Sequence, residues 1–305
     1  MKSGDYMNLT TIITKYNIKK YEELKLGWSK DTKYILTDKN NNKFMLRVSD
    51  KSLHTKRLRQ FNLLNEISCF NINCPKPIEY GIIDDKVYML LTYMEGNPAE
   101  TEIIKYSNIE QYNLGLEAGK ILKIIHSYDK ESDTLTWWEK YEPKSIRKIN
   151  TYLDTELKHN DYEFLINYYK ENIHLMENRP QILTHGDYHL GNMLIHKNHI
   201  VVIDFDKMNF ADPYDEFKPY CWNVLRSEYF ETGLINGYFD NKIPEDFFKM
   251  LKFYTIESLI SHLPWAMTFG EEEVKTAYMI YNKVIEWYDN FKLEIPTWYK
   301  GVLKW

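Results

Sequence analysis

The stretch 183–215 constrains the fold of this chain more than any other part of its sequence. It contains Asp187, then Asn192 five residues later, and Asp204 twelve residues after the asparagine. Between Asn192 and Asp204, the segment 193–203 consists of two short apolar runs joined by a His/Lys/Asn turn, which predicts a β-hairpin. Because a hairpin of this size reverses the chain, we expect Asp204 to return to the end of the sheet beside Asn192.

These residue types are the ones that phosphoryl transfer requires. One carboxylate orients the attacking hydroxyl or accepts its proton, while an amide oxygen and a second carboxylate hold magnesium on the nucleotide phosphates. We therefore predict Asp187 as the catalytic carboxylate, and Asn192 and Asp204 as ligands of Mg²⁺, which prefers oxygen. Any one of the three alone would be read as a turn residue. Their joint spacing around a hairpin favours the catalytic interpretation.

The segments HGDYHLGN, VVIDFDK and ADPYDEF carry a family resemblance. They resemble the aminoglycoside phosphotransferase and choline kinase superfamily, whose motif is H-G-D, four residues, N, a strand ending in I-D, and then D-P-x-x-D. The resemblance implies an α+β, protein-kinase-like, two-lobed fold. A small β-rich N-lobe, 1–94, would bind nucleotide, and a larger helical C-lobe, 95–305, would carry catalysis and substrate binding. Ligands are then expected in the cleft between the lobes.

The same resemblance suggests a phosphate-binding cation in the N-lobe. Arg47 ends an apolar strand where many relatives have lysine, and a guanidinium can bind phosphate through two nitrogens. The alternative is a solvent-exposed arginine at a strand end. Gln60 falls where a helix glutamate normally supports this cation, and Glu66, about two turns later, is the alternative support.

Other nucleotide contacts are expected on either side of that strand. Ser29 lies in a loop with a single glycine, and its hydroxyl and nearby backbone N–H groups would contact phosphates. Thr92, Tyr93 and Met94 match the hinge, whose backbone groups would bind the purine. Without the catalytic motif, neither the loop with Ser29 nor the segment 92–94 would indicate a nucleotide site.

Acidic residues after the hairpin suggest the acceptor site. Glu228 and Glu231 lie three residues apart on a predicted helix, where they would share one face beside Asp187. The family resemblance implies a polyhydroxylated, cationic acceptor, and carboxylates in a cleft would support it because they attract cations. Charge runs are also commonly solvated surface, which is the competing interpretation.

Composition narrows the partners and the compartment. The chain has 305 residues, 44% hydrophobic content and a net charge of −5, which favours a packed protein and argues mildly against nucleic acid as a partner. Three cysteines without a CxxC pair favour reduced thiols. No apolar run reaches the length of a membrane span and no signal core is visible, so we expect a cytoplasmic monomer or homodimer without a membrane partner.

The predicted function is that of a small-molecule kinase. It would transfer the γ-phosphate of ATP or GTP to a hydroxyl of an aminoglycoside-like acceptor. The alternative is a macrolide, choline, or another amino-alcohol or sugar, since fold-level analogy does not identify a substrate. A protein kinase is less favoured, because no arginine precedes Asp187 and only seven residues separate Asp204 from Asp212. A nucleotide-binding protein without catalysis is the third hypothesis.

Residue patterns also predict the main elements. Alternating apolar residues and turn signals indicate strands in the N-terminal third, at 33–37, 43–48, 78–83 and 87–93. Helical spacing indicates one helix there, 53–70, and further helices in the C-terminal part, among them 161–176, 217–230, 244–268 and 271–291.

Overall fold

The computed structural model describes residues 9–25, 31–130 and 133–303. The chain is rich in strands as far as Thr92 and mainly helical after Gly96. It forms two compact units, which we call the β unit (Met1–Gly96 and Val201–Asp206) and the helical unit (Asn97–Ile200 and Lys207–Trp305). The division into a nucleotide-binding lobe, 1–94, and a catalytic lobe, 95–305, remains a prediction from the sequence.

An antiparallel sheet with two helices forms the β unit. The strands lie in the order β1-β2-β3-β5-β4. Their bounds are Ile18–Leu24 (β1), Thr32–Asp38 (β2), Lys43–Asp50 (β3), Pro77–Ile83 (β4) and Lys86–Thr92 (β5). The helices are Thr10–Lys15 (α1) and His54–Ile67 (α2). Strands β2, β3, β4 and β5 and helix α2 confirm the elements predicted for the N-terminal third, whereas β1 and α1 were not predicted.

The turn between β2 and β3 sets their register. The Asp38 carboxylate accepts hydrogen bonds from the backbone N–H groups of Asn40 and Asn42, both at 2.8 Å, and Asn41 adopts a positive φ of 68°. Asn tolerates this left-handed conformation better than most residues do. Leu36 and Leu46, on the two strands that the turn joins, are completely buried in the core of the unit.

The helical unit contains short strands among longer helices. Its strands are Asn97–Pro98 (β6), Ile182–Thr184 (β7), Met193–His196 (β8), His199–Val202 (β9) and Asn209–Ala211 (β10). The last two residues of β9, Val201 and Val202, belong to the β unit. Its helices are Ala99–Glu102 (α3), Asn108–His126 (α4), Trp137–Asp154 (α5), Tyr162–Asn172 (α6), Tyr220–Val224 (α7), Glu228–Tyr238 (α8), Phe247–Met267 (α9) and Glu271–Trp287 (α10). Within the described residues, no helix has both the length and the apolarity needed to cross a membrane.

Helices α4 and α8 pack at backbone-to-backbone distance. A Cβ atom added to Gly115 would lie 2.1 Å from the carbonyl oxygen of Phe230, and one added to Gly119 would lie 2.1 Å from that of Leu234. Glycines on α4 therefore allow this close approach. As a result, most of α8 is buried, from Phe230 to Gly237.

The prediction of a single helix over 217–230 is wrong, because the helical conformation is interrupted between α7 and α8. Ser227 lies in an extended conformation there, and its hydroxyl accepts a hydrogen bond from the backbone N–H of Phe230 at 2.9 Å. Such a cap starts a new helix by satisfying one of its free N–H groups. Apolar spacing continues through the break, so periodicity alone did not reveal it.

Candidate active site

The loop that carries Asp187 is fixed to the rest of the helical unit by a buried glutamate. The Glu216 carboxylate accepts hydrogen bonds from the backbone N–H groups of His185, at 2.6 Å, and Gly186, at 2.8 Å. The Nε2 atom of His126 lies 3.4 Å from the same carboxylate. A buried carboxylate requires hydrogen-bond donors. The two N–H groups that Glu216 binds are therefore held in place, and with them the start of the loop.

Gly186 is required by the path of this loop. Its φ is +84°, in the region that favours glycine, and a Cβ atom there would lie 2.2 Å from the carbonyl oxygen of Lys207. The glycine of the H-G-D motif thus lets the segment around Lys207 approach the loop. This approach brings the Lys207 ammonium to the next residue, Asp187.

Three side chains surround the Asp187 carboxylate. Its Oδ2 atom accepts hydrogen bonds from Lys207 Nζ at 2.9 Å and from Asn192 Nδ2 at 3.0 Å, and His189 Nε2 lies 3.7 Å away. His189 Nδ1 accepts a hydrogen bond from the Gly191 N–H, so Nε2 carries the ring proton that faces the carboxylate. Asp187 is thus held in one orientation, with about a quarter of its side chain (27%) exposed.

These neighbours keep Asp187 ionised. Burial raises the pKa of its carboxyl group, but the contact with the His189 N–H and the hydrogen bond and charge of Lys207 outweigh burial and hold the pKa well below its usual range. A carboxylate of this kind is a weak proton acceptor, since an efficient general base has a pKa near the working pH. It is well suited to hold a hydroxyl group through a charge-assisted hydrogen bond.

Asn192 presents an oxygen in the same loop. The hydrogen bonds of its side chain to Asp187 use Nδ2, and the same atom lies 3.3 Å from His189 Nε2. The Oδ1 atom is therefore oriented away from these partners, with lone pairs that suit a hard cation. Among the described residues, no group of three or more His, Cys, Asp or Glu side chains is arranged to hold a metal ion.

Glu231 lies inside the helical unit rather than on its surface. Its side chain is 1% exposed, and its Oε2 atom accepts a hydrogen bond from Asn223 Nδ2 at 2.7 Å. Asn223 Oδ1 in turn accepts a hydrogen bond from the backbone N–H of Leu190 at 2.7 Å. Glu231 therefore supports the loop through Asn223, and this burial corrects the expectation that it faces an acceptor.

Glu228, the other predicted acceptor contact, has a different environment. Its side chain is 41% exposed and its carboxylate contacts Lys300 Nζ at 2.5 Å. Glu228 and Glu231 do not share an environment although they lie three residues apart, because α8 is buried from Phe230 onward. The pair consequently does not form the carboxylate cluster that was expected to attract a cation.

The buried position of Glu231 predicts a pH-dependent stability. Burial, opposed by the hydrogen bond from Asn223, raises the pKa of Glu231 to about 8. Folding therefore favours the protonated acid, and stability falls as the pH rises from about 4.5 towards 8, by about 1.4 kcal/mol per pH unit. Glu231→Gln removes the ionisation, so its free energy of unfolding relative to the wild type should rise by roughly 3–5 kcal/mol across this window.

Urea unfolding of both proteins at pH 5 and pH 8 measures this difference. Glu228→Gln is the matched control, since it makes the same change on an exposed side chain of the same helix. A Glu231→Gln variant whose stability runs parallel to that of the wild type between the two pH values would show that Glu231 does not ionise there.

In the β unit, Arg47 lies at the centre of a network of charges. It projects from β3 with 6% exposure. Its guanidinium forms ion pairs with Asp31 and Asp206, and its Nη1 atom lies 3.4 Å from Asp204 Oδ1. Buried arginines require such partners. The alternative of a solvent-exposed arginine at a strand end is therefore wrong.

Asp31 is the carboxylate that Arg47 shares with a second arginine. Arg57, on α2, forms an ion pair with Asp31, and its Nε donates to Ser49 Oγ at 2.9 Å. Burial raises the pKa of Asp31, but the charge and hydrogen bond of Arg47 and the charge of Arg57 outweigh it and lower that pKa. Asp31 thus fixes both guanidinium groups beside the sheet.

Gln60 belongs to this network through Arg57 and Asp206. Its Oε1 atom accepts a hydrogen bond from Arg57 Nη1 at 2.7 Å, and its Nε2 donates to the backbone carbonyl of Asp206. Gln60 is thus connected to Arg47 through Asp206, whereas Asp31, which lies outside the helix, pairs with Arg47 directly. Asp31 was the residue that sequence reasoning missed.

A signal for Asp31 exists in the strand register. Thr32 pairs with Val48 across β2 and β3. The preceding residue, Asp31, therefore lies opposite Ser49 and diagonal to Arg47. Diagonal neighbours on one face of a sheet lie within reach of long side chains. The hairpin was predicted correctly, and counting back from its turn would have identified the pair.

Asp204 follows β9 in an unusual backbone conformation. Its φ is +61°, a left-handed value that costs energy for most residues and that Asp and Asn tolerate best. Its carboxylate, 32% exposed, lies 3.3 Å from Lys33 Nζ and 3.4 Å from Arg47 Nη1. The side chain therefore offers oxygens beside two cations, without a short hydrogen bond to either.

The remaining predicted residues lie at the edges of the β unit. Thr92 ends β5, where its N–H donates to the Lys76 carbonyl at 2.9 Å and its hydroxyl accepts from the Lys76 N–H at 2.8 Å. Tyr93 and Met94 follow directly, and Lys43 Nζ lies 5.2 Å from the centre of the Tyr93 ring. Ser29 lies outside the described residues.

Solved structures share this architecture. A GDP complex of an aminoglycoside 2′-phosphotransferase superposes with a TM-score of 0.74 at 13% identity, covering 94% of this chain and 97% of that one. An amicoumacin kinase bound to AMP-PNP and Ca²⁺ gives 0.67 at 12% identity, covering 95% and 96%. APH(2″)-IIa in complex with gentamicin gives 0.67 at 17% identity, covering 88% and 93%. The chain therefore has the predicted protein-kinase-like fold.

The family follows from the sequence itself. Residues 20–242 match the model of the Phosphotransferase enzyme family, APH. The chain belongs to this family and is a phosphotransferase, which confirms the resemblance drawn from the H-G-D, I-D and D-P-x-x-D motifs. No curated protein matches it in sequence.

Proposed function

We propose that this enzyme transfers the γ-phosphate of ATP or GTP to a hydroxyl group of a small molecule. The observation that carries the proposal is the ionised Asp187 carboxylate, held by Lys207 and Asn192 on a loop that Glu216 anchors. This is the arrangement that a hydroxyl nucleophile requires, since the group that orients it must be fixed before reaction. Family membership supplies the reaction class.

In the proposed mechanism, Asp187 accepts a hydrogen bond from the acceptor hydroxyl and directs its oxygen at the γ-phosphorus. A bond forms between this oxygen and phosphorus as the bond to the leaving oxygen of the nucleoside diphosphate breaks. The low pKa of Asp187 favours transfer of the hydroxyl proton to its carboxylate only after the bond to phosphorus has largely formed, which agrees with a loose transition state in which the nucleophile carries little charge until bond formation.

Magnesium is the proposed cofactor, with Asn192 and Asp204 as its ligands. The Asn192 amide oxygen and the partly exposed Asp204 carboxylate are donors of the kind this ion prefers. When bound, magnesium neutralises phosphate charge during transfer. Arg47 is proposed to contact the α- or β-phosphate, with Gln60 and Asp31 restricting the motion of the network around it.

The rest of the nucleotide is assigned by the family resemblance. Ser29 is proposed to contact phosphates, and the backbone of Thr92, Tyr93 and Met94 to bind the purine. The β3 strand that carries Arg47 is paired with β5, which ends at Thr92. The β unit therefore contains the proposed phosphate and purine contacts on adjacent strands.

Similarity to solved structures supports the proposed acceptor class. Solved relatives whose names include gentamicin and amicoumacin make an aminoglycoside-like antibiotic the first candidate, and with it a role in antibiotic resistance. A macrolide, choline, or another amino-alcohol or sugar is the alternative. The charge argument for a cation has lost its basis, since Glu231 is buried and Glu228 is paired with Lys300.

Release of nucleoside diphosphate tests this proposal. With Mg²⁺ and ATP or GTP, we expect at least one hydroxylated small molecule among aminoglycosides, macrolides, choline and sugars to accelerate release above the hydrolysis seen without acceptor. Mass spectrometry should find that acceptor heavier by one phosphoryl group. Tight nucleotide binding without any transfer would indicate the non-catalytic alternative, and transfer only to protein side chains would indicate a protein kinase.

A further inference from the structure

A cavity of about 200 Å³ lies in the helical unit, close to the Asp187 loop. Asn209 forms part of its wall, and its Nδ2 atom donates to the carbonyl oxygen of Lys207 at 2.9 Å. The ammonium of that same Lys207 is bound to Asp187. The cavity wall is thus two residues from the direct partner of the catalytic carboxylate, which makes it a place for the part of the acceptor that does not react.

One face of α5 contributes three of the four lysines in this wall. Trp137, Lys140, Lys144 and Lys148 recur at helical spacing, so they line the cavity from successive turns. With Lys218 the wall has four lysines, against three carboxylates from Asp133, Asp215 and Glu257. The balance is one positive charge, in a chain whose net charge is −5.

The carboxylates of the wall are already neutralised. The Glu257 carboxylate lies 2.9 Å from both Lys148 Nζ and Lys218 Nζ, and Lys218 also forms an ion pair with Asp215. Burial raises the pKa of Glu257, but the charges and hydrogen bonds of the two lysines outweigh it and lower that pKa to about 2. Glu257 is therefore ionised and committed to these lysines, which leaves it little attraction for a cationic ligand.

The surplus charge belongs to Lys144. Lys140 is paired with Asp133 at 2.9 Å and also donates to the Phe210 carbonyl at 2.6 Å. Lys144 is exposed at the mouth of the cavity and has no ion-pair partner among residues 9–25, 31–130 and 133–303. Its ammonium is thus available to an anionic group.

The indole N–H of Trp137 is a second donor in the cavity wall. Trp137 is 8% exposed, and its Nε1–H has no hydrogen-bond partner within the part of the chain that the structure describes. A buried donor without a partner is costly, by about 1–3 kcal/mol. The cavity wall thus combines an N–H donor, an ammonium group and the aromatic rings of Trp137 and Tyr141, whose centres lie 5.2 Å apart.

We propose that this cavity binds a carboxylate of the acceptor, with Lys144 and the Trp137 N–H as its partners. The inference rests on the proposed function and replaces its cationic acceptor with a small hydroxy acid. Size agrees with this, because about 200 Å³ is below the roughly 300–1,000 Å³ typical of sites for drug-sized ligands. Both groups are donors of the kind that carboxylate oxygens accept from, whereas Lys144 would repel an ammonium group.

Matched acceptor pairs test the proposal. Glucuronate against glucose, and 3-hydroxybutyrate against 1,3-butanediol, differ by a carboxylate, and kanamycin and choline represent cations. We expect the carboxylated member of at least one pair to be phosphorylated with a KM about tenfold lower, a difference of about 1.4 kcal/mol. Lys144→Glu should raise that KM about tenfold without changing the KM of the neutral partner.

Two further variants keep the test independent of folding. Arg147→Glu makes the same type of charge reversal on an exposed residue of the same helix, outside the cavity, and should leave both KM values unchanged. Trp137→Phe retains an aromatic ring but removes the N–H, and should raise the KM of the carboxylated acceptor several-fold. Equal effects of Lys144→Glu and Arg147→Glu would overturn the assignment.

The proposed function and this inference fail in different ways. Hydrolysis of ATP or GTP without acceptor reports on the nucleotide chemistry alone, so its absence together with absent transfer overturns the proposed function. If nucleotide turnover occurs but is stimulated only by kanamycin or choline, equally by both members of each pair, or by no acceptor of the set, the cavity inference is overturned while the nucleotide chemistry stands.

Discussion

Replacing Asp187 with Asn should lower kcat by about 10²–10⁴-fold, the usual contribution of a group that acts on a transferring proton. The change preserves the size of the side chain and its contact with Asn192, but removes the charge that is proposed to hold the acceptor hydroxyl. The Lys207 ammonium, 2.9 Å away, also loses its ion-pair partner. Affinity for the nucleotide should persist, since none of the proposed nucleotide contacts includes Asp187.

Steady-state release of nucleoside diphosphate and calorimetric nucleotide binding separate the two effects. Asp240→Asn serves as the control, because Asp240 is an exposed aspartate that is likewise paired with a lysine, Lys123. Turnover near the wild-type value in Asp187→Asn, with an acceptor that the wild type phosphorylates, would remove Asp187 from the mechanism. A loss of nucleotide binding equal to the loss of turnover would instead indicate a damaged fold.

Local patterns predicted much of the fold because the determinants were themselves local. The Asn-rich turn at 39–42 and the apolar runs on either side of it specified β2 and β3, and the same reasoning predicted the hairpin of β8 and β9. Helix α10 was predicted from residue 271, where it begins, although it ends four residues before the expected position. Ends of helices depend on capping contacts that periodicity does not report.

Long-range contacts explain what the sequence did not predict. Glu231 is buried because glycines on α4 let that helix approach α8, and a pairing of two helices more than a hundred residues apart is not visible in either sequence segment. The link from Glu231 through Asn223 to Leu190 likewise joins three distant positions. The H-G-D motif was recognisable, but the residues that hold it in place, Glu216 among them, carry no motif of their own.

The second large effect is expected for Asp204→Asn, through the dependence of nucleotide binding on Mg²⁺. Asn is nearly isosteric and also tolerates the left-handed backbone of Asp204, whose φ is +61°, so the fold should persist. If Asp204 is the proposed charged ligand, its removal should weaken Mg²⁺ affinity at least as much as loss of an outer-shell partner does, about 10–100-fold. Asn192→Ala, which removes the proposed neutral ligand, should weaken it less.

In the absence of Mg²⁺, the Asp204→Asn variant should bind nucleotide at least as tightly as the wild type. Asp204 lies 3.3 Å from Lys33 and 3.4 Å from Arg47, so neutralising it leaves both cations more available to phosphates. Calorimetric titration of Asp204→Asn in EDTA should therefore show nucleotide affinity equal to or greater than that of the wild type, while the gain in affinity on adding Mg²⁺ is largely lost. A variant that retains the full Mg²⁺-dependent gain would exclude Asp204 as a ligand. Weaker binding in EDTA would show instead that Asp204 orders Arg47 and Lys33 for the nucleotide, since an ordering role and a competing role shift metal-free affinity in opposite directions.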